Sequence, residues 1–157
     1  MGWLSSLFGG ARRETSRGEM DEALKRLVVP ELRAEGYKGS MPHLRRRQGE
    51  TWDLLSFQYS KWGGAFCVEA ARCRADGVDA PRGHVPAAKA KAHDLPRRYR
   101  VGPERVQSDH WYKFERDDPE AVAGRLLADL NRPALWEIVE RLPKSWAEER
   151  ARNGPSG

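Results

Sequence analysis

The residues best equipped for chemistry in this 157-residue chain are four histidines, two cysteines and a scatter of arginines among aromatic rings. A nucleophile needs a base beside it and a third group to orient that base. The chain has no Gly-x-Ser-x-Gly elbow, and Cys67 and Cys73 sit among apolar neighbours, where cysteine serves as a small core residue. His43, His84, His93 and His110 do not stand four apart as a helical metal pair does, and no Cys-x-x-Cys occurs to support a zinc ribbon or a thioredoxin-type site. Asp109 and His110 are adjacent, and adjacent strand residues project to opposite faces, which argues against an acid–base pair. Gly63-Gly64 is a turn signal and lacks the Gly-x-x-x-x-Gly-Lys pattern of a phosphate loop. The carboxylate pairs Asp117-Asp118 and Glu148-Glu149 fit a helix start and a polar tail. The expectation is a protein that is not an enzyme and uses no metal or cofactor, with a small hydrolase as the last-ranked reading.

Two constellations remain, and both are suited to binding. The first is Gln58, Ser60, Lys61 and Trp62, polar groups at a strand end beside a tryptophan, which make a natural contact edge for a protein partner. The second is basic and aromatic: Arg45 and Arg47 share one strand face, Arg98 and Arg100 share another, and Trp52, Trp62 and Trp111 are candidates to lie near them. Guanidinium groups fork onto phosphate and tryptophan stacks on bases, so this set suits a nucleic acid or another polyanion. A bland alternative is a sheet face guarded by long charged side chains. The formal charge of +5 is unevenly placed. Residues 72–105 carry nine basic and four acidic residues, whereas 106–150 carry seven basic and ten acidic. The leading expectation is a non-enzymatic interaction module with an unidentified protein partner; polyanion binding is the runner-up.

The stretch that must position these groups is Thr51–Cys73, read as two strands joined by a turn at Lys61–Gly64. Within Trp52–Ser60 the period is two. Leu55, Phe57 and Tyr59 share the face expected in the core, and Leu54, Ser56, Gln58 and Ser60 share the other with Trp52. The return strand sends Phe66, Val68 and Ala70 one way and Cys67 and Glu69 the other. Upstream, Leu24, Leu27, Val28 and Leu32 fall at helical spacing; Pro30 should kink that helix, and Gly36 supplies a left-handed stop onto which Tyr37 folds back. Lys38–Pro42 reads as a turn and His43–Arg47 as a short strand. Residues 74–96, with three prolines, read as a long surface excursion with a helical turn at 87–92. Arg97–Val101 and His110–Phe114 read as strands. Asp118 caps a final helix whose first position is Pro119; Asn131–Pro133 interrupts it and Pro143 ends it.

The fold class that follows is α+β: an antiparallel sheet of four or five strands with an N-terminal and a C-terminal helix packed on one face. Residues 1–18 read as a flexible leader, 19–143 as a single domain and 144–157 as a polar tail. Trp3, Leu4, Leu7 and Phe8 make one apolar helical turn in the leader, too short to be stable alone in water. Gly2 and Ser6 fit the loose myristoylation pattern, but the Arg- and Ala-rich composition looks bacterial, where that pattern carries no meaning. No secretory signal and no apolar run of about 18 residues is present, so no membrane span is expected. Cys67 and Cys73 stand six residues apart on one strand, about 20 Å at strand rise. A disulfide needs roughly 7 Å or less, so free thiols in a reducing cytoplasm are the expectation.

Several of these segments occur together in a known arrangement. A helix runs through Pro30 to Gly36-Tyr37, followed by the strand Phe57-Gln58-Tyr59-Ser60-Lys61 and the return strand Phe66-Cys67-Val68. Beyond them lie Arg98-Tyr99-Arg100-Val101-Gly102, Asp109-His110-Trp111-Tyr112 and a last helix interrupted at Pro133. Over residues 20–142 this order resembles the domain-of-unknown-function family 4304 (DUF4304). The chain departs from it in the 74–96 excursion and at Cys67 and Glu69. The resemblance implies a fold and no activity, because that family has no established biochemical role.

Overall fold

The computed structural model describes residues 13–103 and 109–142. The expectations for residues 1–12 of the leader, for the helix end at Pro143 and for the polar tail lie outside the described residues.

Ser16 opens the first helix with a capping box: its hydroxyl accepts from the Glu19 amide at 3.1 Å, and the Glu19 carboxylate accepts from the Ser16 amide at 3.4 Å. Helix α1 (Arg17–Ala23) passes into a π-helical turn (Leu24–Val28) and then α2 (Val29–Ala34). The π-turn accounts for Pro30. A proline ring clashes with the carbonyl four residues back and offers no amide to it, and the widened turn, in which Val29 donates to the Leu24 carbonyl, relieves that conflict. Gly36 closes the helix with a left-handed φ of 98°, and Tyr37 folds back so that its amide meets the Leu32 carbonyl and its ring is buried.

Among the described residues a six-stranded antiparallel sheet follows, in the order β1 (Lys38–Ser40), β2 (His43–Gln48), β3 (Thr51–Tyr59), β4 (Ala65–Arg74), β7 (Tyr99–Arg100), with β8 (Tyr112–Lys113) also on β4. The strands at both edges are only two or three residues long. The segment expected as a turn before His43 therefore contributes β1, whose Gly39 at φ 96° lies against the His43 carbonyl, with no room for a Cβ. The register puts Leu44, Leu55 and Ala70 in one row and Phe57 and Val68 in the next, as the alternation requires. These residues share one buried cluster with the apolar faces of α1, α2, α3 (Pro119–Leu130) and α4 (Leu135–Arg141). No helix among the described residues is long and apolar enough to cross a membrane.

The opposite sheet face is covered too, and here the structure differs from the sequence expectation. Residues 74–96 form a hairpin, β5 (Val78–Ala80) with β6 (Gly83–Val85), and a 3-10 turn (Ala92–Asp94). They bury Ala87, Ala90, Ala92 and Leu95 against Leu54, Ala71 and Cys73. Small side chains let this segment lie close on the sheet, so Leu54 is buried as fully as Leu55. Cys67 and Cys73 are both free and buried.

Candidate functional site

The β3–β4 turn positions the first set of candidate residues. Ser60 donates its amide to the Ala65 carbonyl at 2.8 Å and accepts from Gly63 at 3.0 Å, and the turn crosses two glycines with φ of 82° and 71°. The Ser60 hydroxyl accepts the Trp62 amide at 3.1 Å, so this side chain is used to fix the turn. Trp62 is thereby held out from the fold with 86% of its surface exposed, the one large hydrophobic side chain so placed among the described residues. The Lys61 ammonium lies 5.0 Å from its ring centroid. Gln58 is exposed on the same face as Ser56, opposite Cys67. The base of the turn is clamped: Phe114 and Glu115 both donate to the Gly64 carbonyl, and Thr15 donates to the Glu115 carbonyl at 2.9 Å.

The basic set is assembled only in part. His43, Ser56, Glu69 and Arg100 form one row across the second face, so Arg45, Arg47 and Arg100 do project to the side of Gln58. Arg100 and Arg98 both turn to Glu69, at 3.3 and 3.5 Å, and Arg100 also meets Asp109 at 3.5 Å while lying over the Trp111 ring. Arg45 and Arg47 belong to β2, three strand spacings or roughly 14 Å away. The four arginines therefore do not converge on one phosphate-sized spot.

Sequence reasoning missed three arrangements. Asp53, fully buried on the helix side of β3, accepts from Arg46 and from Arg72, each at 2.8 Å. Arg46 lies over Tyr37, and Arg72 lies over Trp136 and reaches Glu140 at 2.8 Å. The signal was present: Asp53, Arg46 and Arg72 occupy core-parity positions on three adjacent strands. On the second face, His43 Nδ1 and the Ser56 hydroxyl are 2.9 Å apart, with the His93 ring edge-on to His43. Burial, with help from Lys91, His93 and Arg45, pushes the His43 pKa down and keeps the ring neutral near pH 7. Ser56 lies within a strand paired on both sides, so its backbone amide belongs to the sheet. The third is a groove of about 520 Å³ beside β8 and α3, lined by His110, Trp111, Tyr112, Asp117, Arg125 and Asp129 among others. Its groups satisfy one another: Tyr112 donates to Asp129 at 2.6 Å, Arg125 meets Asp117 at 2.7 Å, and His110 packs edge-on to Tyr112. Asp109, at φ 57°, faces Arg100 instead of His110. Among the described residues no group of three His, Cys, Asp or Glu is set to hold a metal ion.

Residues 28–140, most of the chain, match the domain of unknown function DUF4304. The chain belongs to the DUF4304 family. The match runs from the π-turn through the whole sheet to α4, so the tip, the Asp53 cluster and the groove all lie within the DUF4304 region. Neither a curated protein nor a solved structure matches the chain.

Proposed function

We propose that this DUF4304 protein is a non-enzymatic interaction module that takes a protein partner on the edge formed by Gln58, Lys61 and Trp62, with Ser60 shaping the turn. The observation that carries this reading is the exposure of Trp62 at a turn that hydrogen bonds hold in place. A buried tryptophan contributes more contact area than any other side chain, and a pre-formed turn loses little entropy on binding. The cations favour a protein over a polyanion as the partner, since Arg98 and Arg100 already face Glu69. The free thiols of Cys67 and Cys73 support a reducing compartment such as the bacterial cytoplasm.

A photoreactive amino acid at position 62, compared with one at Glu50 in the turn at the opposite end of β3, tests the reading in cells that make the protein. A discrete adduct from position 62 and none from position 50 is expected. Identical adducts from both positions, or none, would contradict it. Strong heparin retention that weakens steeply with salt would instead favour the polyanion reading through Arg45, Arg47, Arg98 and Arg100.

A further inference from the structure

Several arginines of this molecule have a carboxylate beside them: Arg46 and Arg72 meet Asp53, Arg98 and Arg100 meet Glu69, and Arg125 meets Asp117. One corner of the second sheet face is built differently. Lys38 of β1 and Arg45 of β2 are register partners, so their side chains rise from the same face with Cβ atoms about 5 Å apart. His43 stands two residues back along β2, on that face too. The 3-10 turn of the 74–96 segment adds His93, whose ring meets His43 edge-on with centroids 5.5 Å apart, and Lys91 at the start of the turn. Lys91, His93 and Arg45 all act on the His43 ring and, with burial, depress its pKa, so this positive charge is gathered around one imidazole. Asp94 is the acidic group that acts on His43, and it is already engaged: it accepts the Lys91 amide at 2.9 Å and lies 3.6 Å from His93. Glu69, farther along the row, is held by Arg98 and Arg100. Among the described residues Lys38, Arg45 and Lys91 have no ion-pair partner, and Lys38 and Lys91 are exposed.

We propose that Lys38, Arg45 and Lys91, with the His43–His93 pair, form a binding site for a phosphate group, free or carried on a small molecule. Like charges gathered on one corner repel one another, and an anion set among them turns that repulsion into attraction. The chemistry suits phosphate: a guanidinium forks onto two of its oxygens, and ammonium groups serve as point charges. His43 adds a neutral donor. Its Nδ1 is 2.9 Å from the Ser56 hydroxyl, and a hydroxyl that donates there leaves the ring proton on Nε2. Of the four arginines read from the sequence as a polyanion surface, Arg45 alone enters this site. The site is built from β1, β2 and the 74–96 segment, not from the Trp62 turn, so it stands or falls independently of the proposed contact edge.

The test follows the imidazole resonances of His43 and His93 in the full chain as inorganic pyrophosphate or a nucleoside monophosphate is added at constant ionic strength. An anion beside the two rings favours their protonated forms, so both pKa values should rise, with saturation, and binding should tighten as pH falls through about 6.5. Saturation by pyrophosphate alone identifies a free phosphate as the ligand, and tighter saturation by the nucleotide identifies a carried one. Arg45→Gln and Lys91→Gln, both changes at the surface, should each weaken binding about tenfold or more, and Lys113→Gln on β8 should leave it unchanged. A response to both probes no larger than that to equal ionic strength of chloride would overturn the proposal. So would binding that survives Arg45→Gln and Lys91→Gln, or binding lost equally in Lys113→Gln.

Discussion

The two ends of the β3–β4 ladder treat their most conspicuous side chains in opposite ways. Near the Thr51 end the chain buries a carboxylate completely and surrounds it: Asp53 holds Arg46 and Arg72, and the two guanidinium groups lie over Tyr37 and Trp136. At the other end, six strand residues or roughly 20 Å away, hydrogen bonds in the turn hold Trp62 in solvent. The first end converges polar groups and exposes almost none of them; the second converges nothing and exposes a ring. Convergence of charged residues thus marks the part of this molecule that holds β2, β3, β4 and α4 together, and the turn at the far end is marked by an apolar group that the fold leaves in solvent.

Substitutions separate the two ends by size of effect. Asp53→Ala leaves Arg46 and Arg72 facing each other without their shared anion, and should cost about 3–5 kcal/mol of stability in urea unfolding; a loss under about 1 kcal/mol would show that the cluster is well hydrated and break the contrast. On the second face, Ala90→Leu overfills the contact with Leu54 and Ala71 and should cost about 1–3 kcal/mol. A neutral or stabilising result would mean that residues 74–96 can lift away. A third test is pH. Burial holds His43 and His110 below the ordinary histidine pKa, so the unfolded chain takes up protons that the folded one refuses. Stability contributed by these rings is full above about pH 6.5 and declines as pH falls through that value toward the folded pKa values. His84 works with the opposite sign, since its hydrogen bond to Asp79 raises its pKa, but it is exposed. His43→Gln should therefore flatten the acid side of the urea-midpoint profile, and an unchanged slope would place the titration elsewhere. The smallest expected change in stability is Trp62→Ser, within about 0.5 kcal/mol of the parent.

The helix-side core was legible because large side chains alternate with polar ones: Leu55 and Phe57 against Ser56 and Gln58, Phe66 and Val68 against Glu69. The second core was not, because Ala87, Ala90 and Ala92 read the same in a loop, a helical turn or a packed plug, and only the register reveals that Leu54 and Ala71 need a cover. Pro30 signalled a disturbed helix, but a bend and a π-turn relieve the same clash and the letters do not choose between them. At the candidate edge, Trp62 was legible because Gly63 and Gly64 mark a turn that cannot bury it. The pairing of Arg98 and Arg100 with Glu69 was not, since it depends on β7 pairing with Glu69 and Ala70 of β4.

The most direct test of the tip as a contact edge takes Trp62→Ser and the parent protein, matches them by unfolding free energy, and compares how each associates with the partner captured at position 62. The account predicts equal stability and lost association. Retained association, or a loss of stability approaching that of Asp53→Ala, would contradict it.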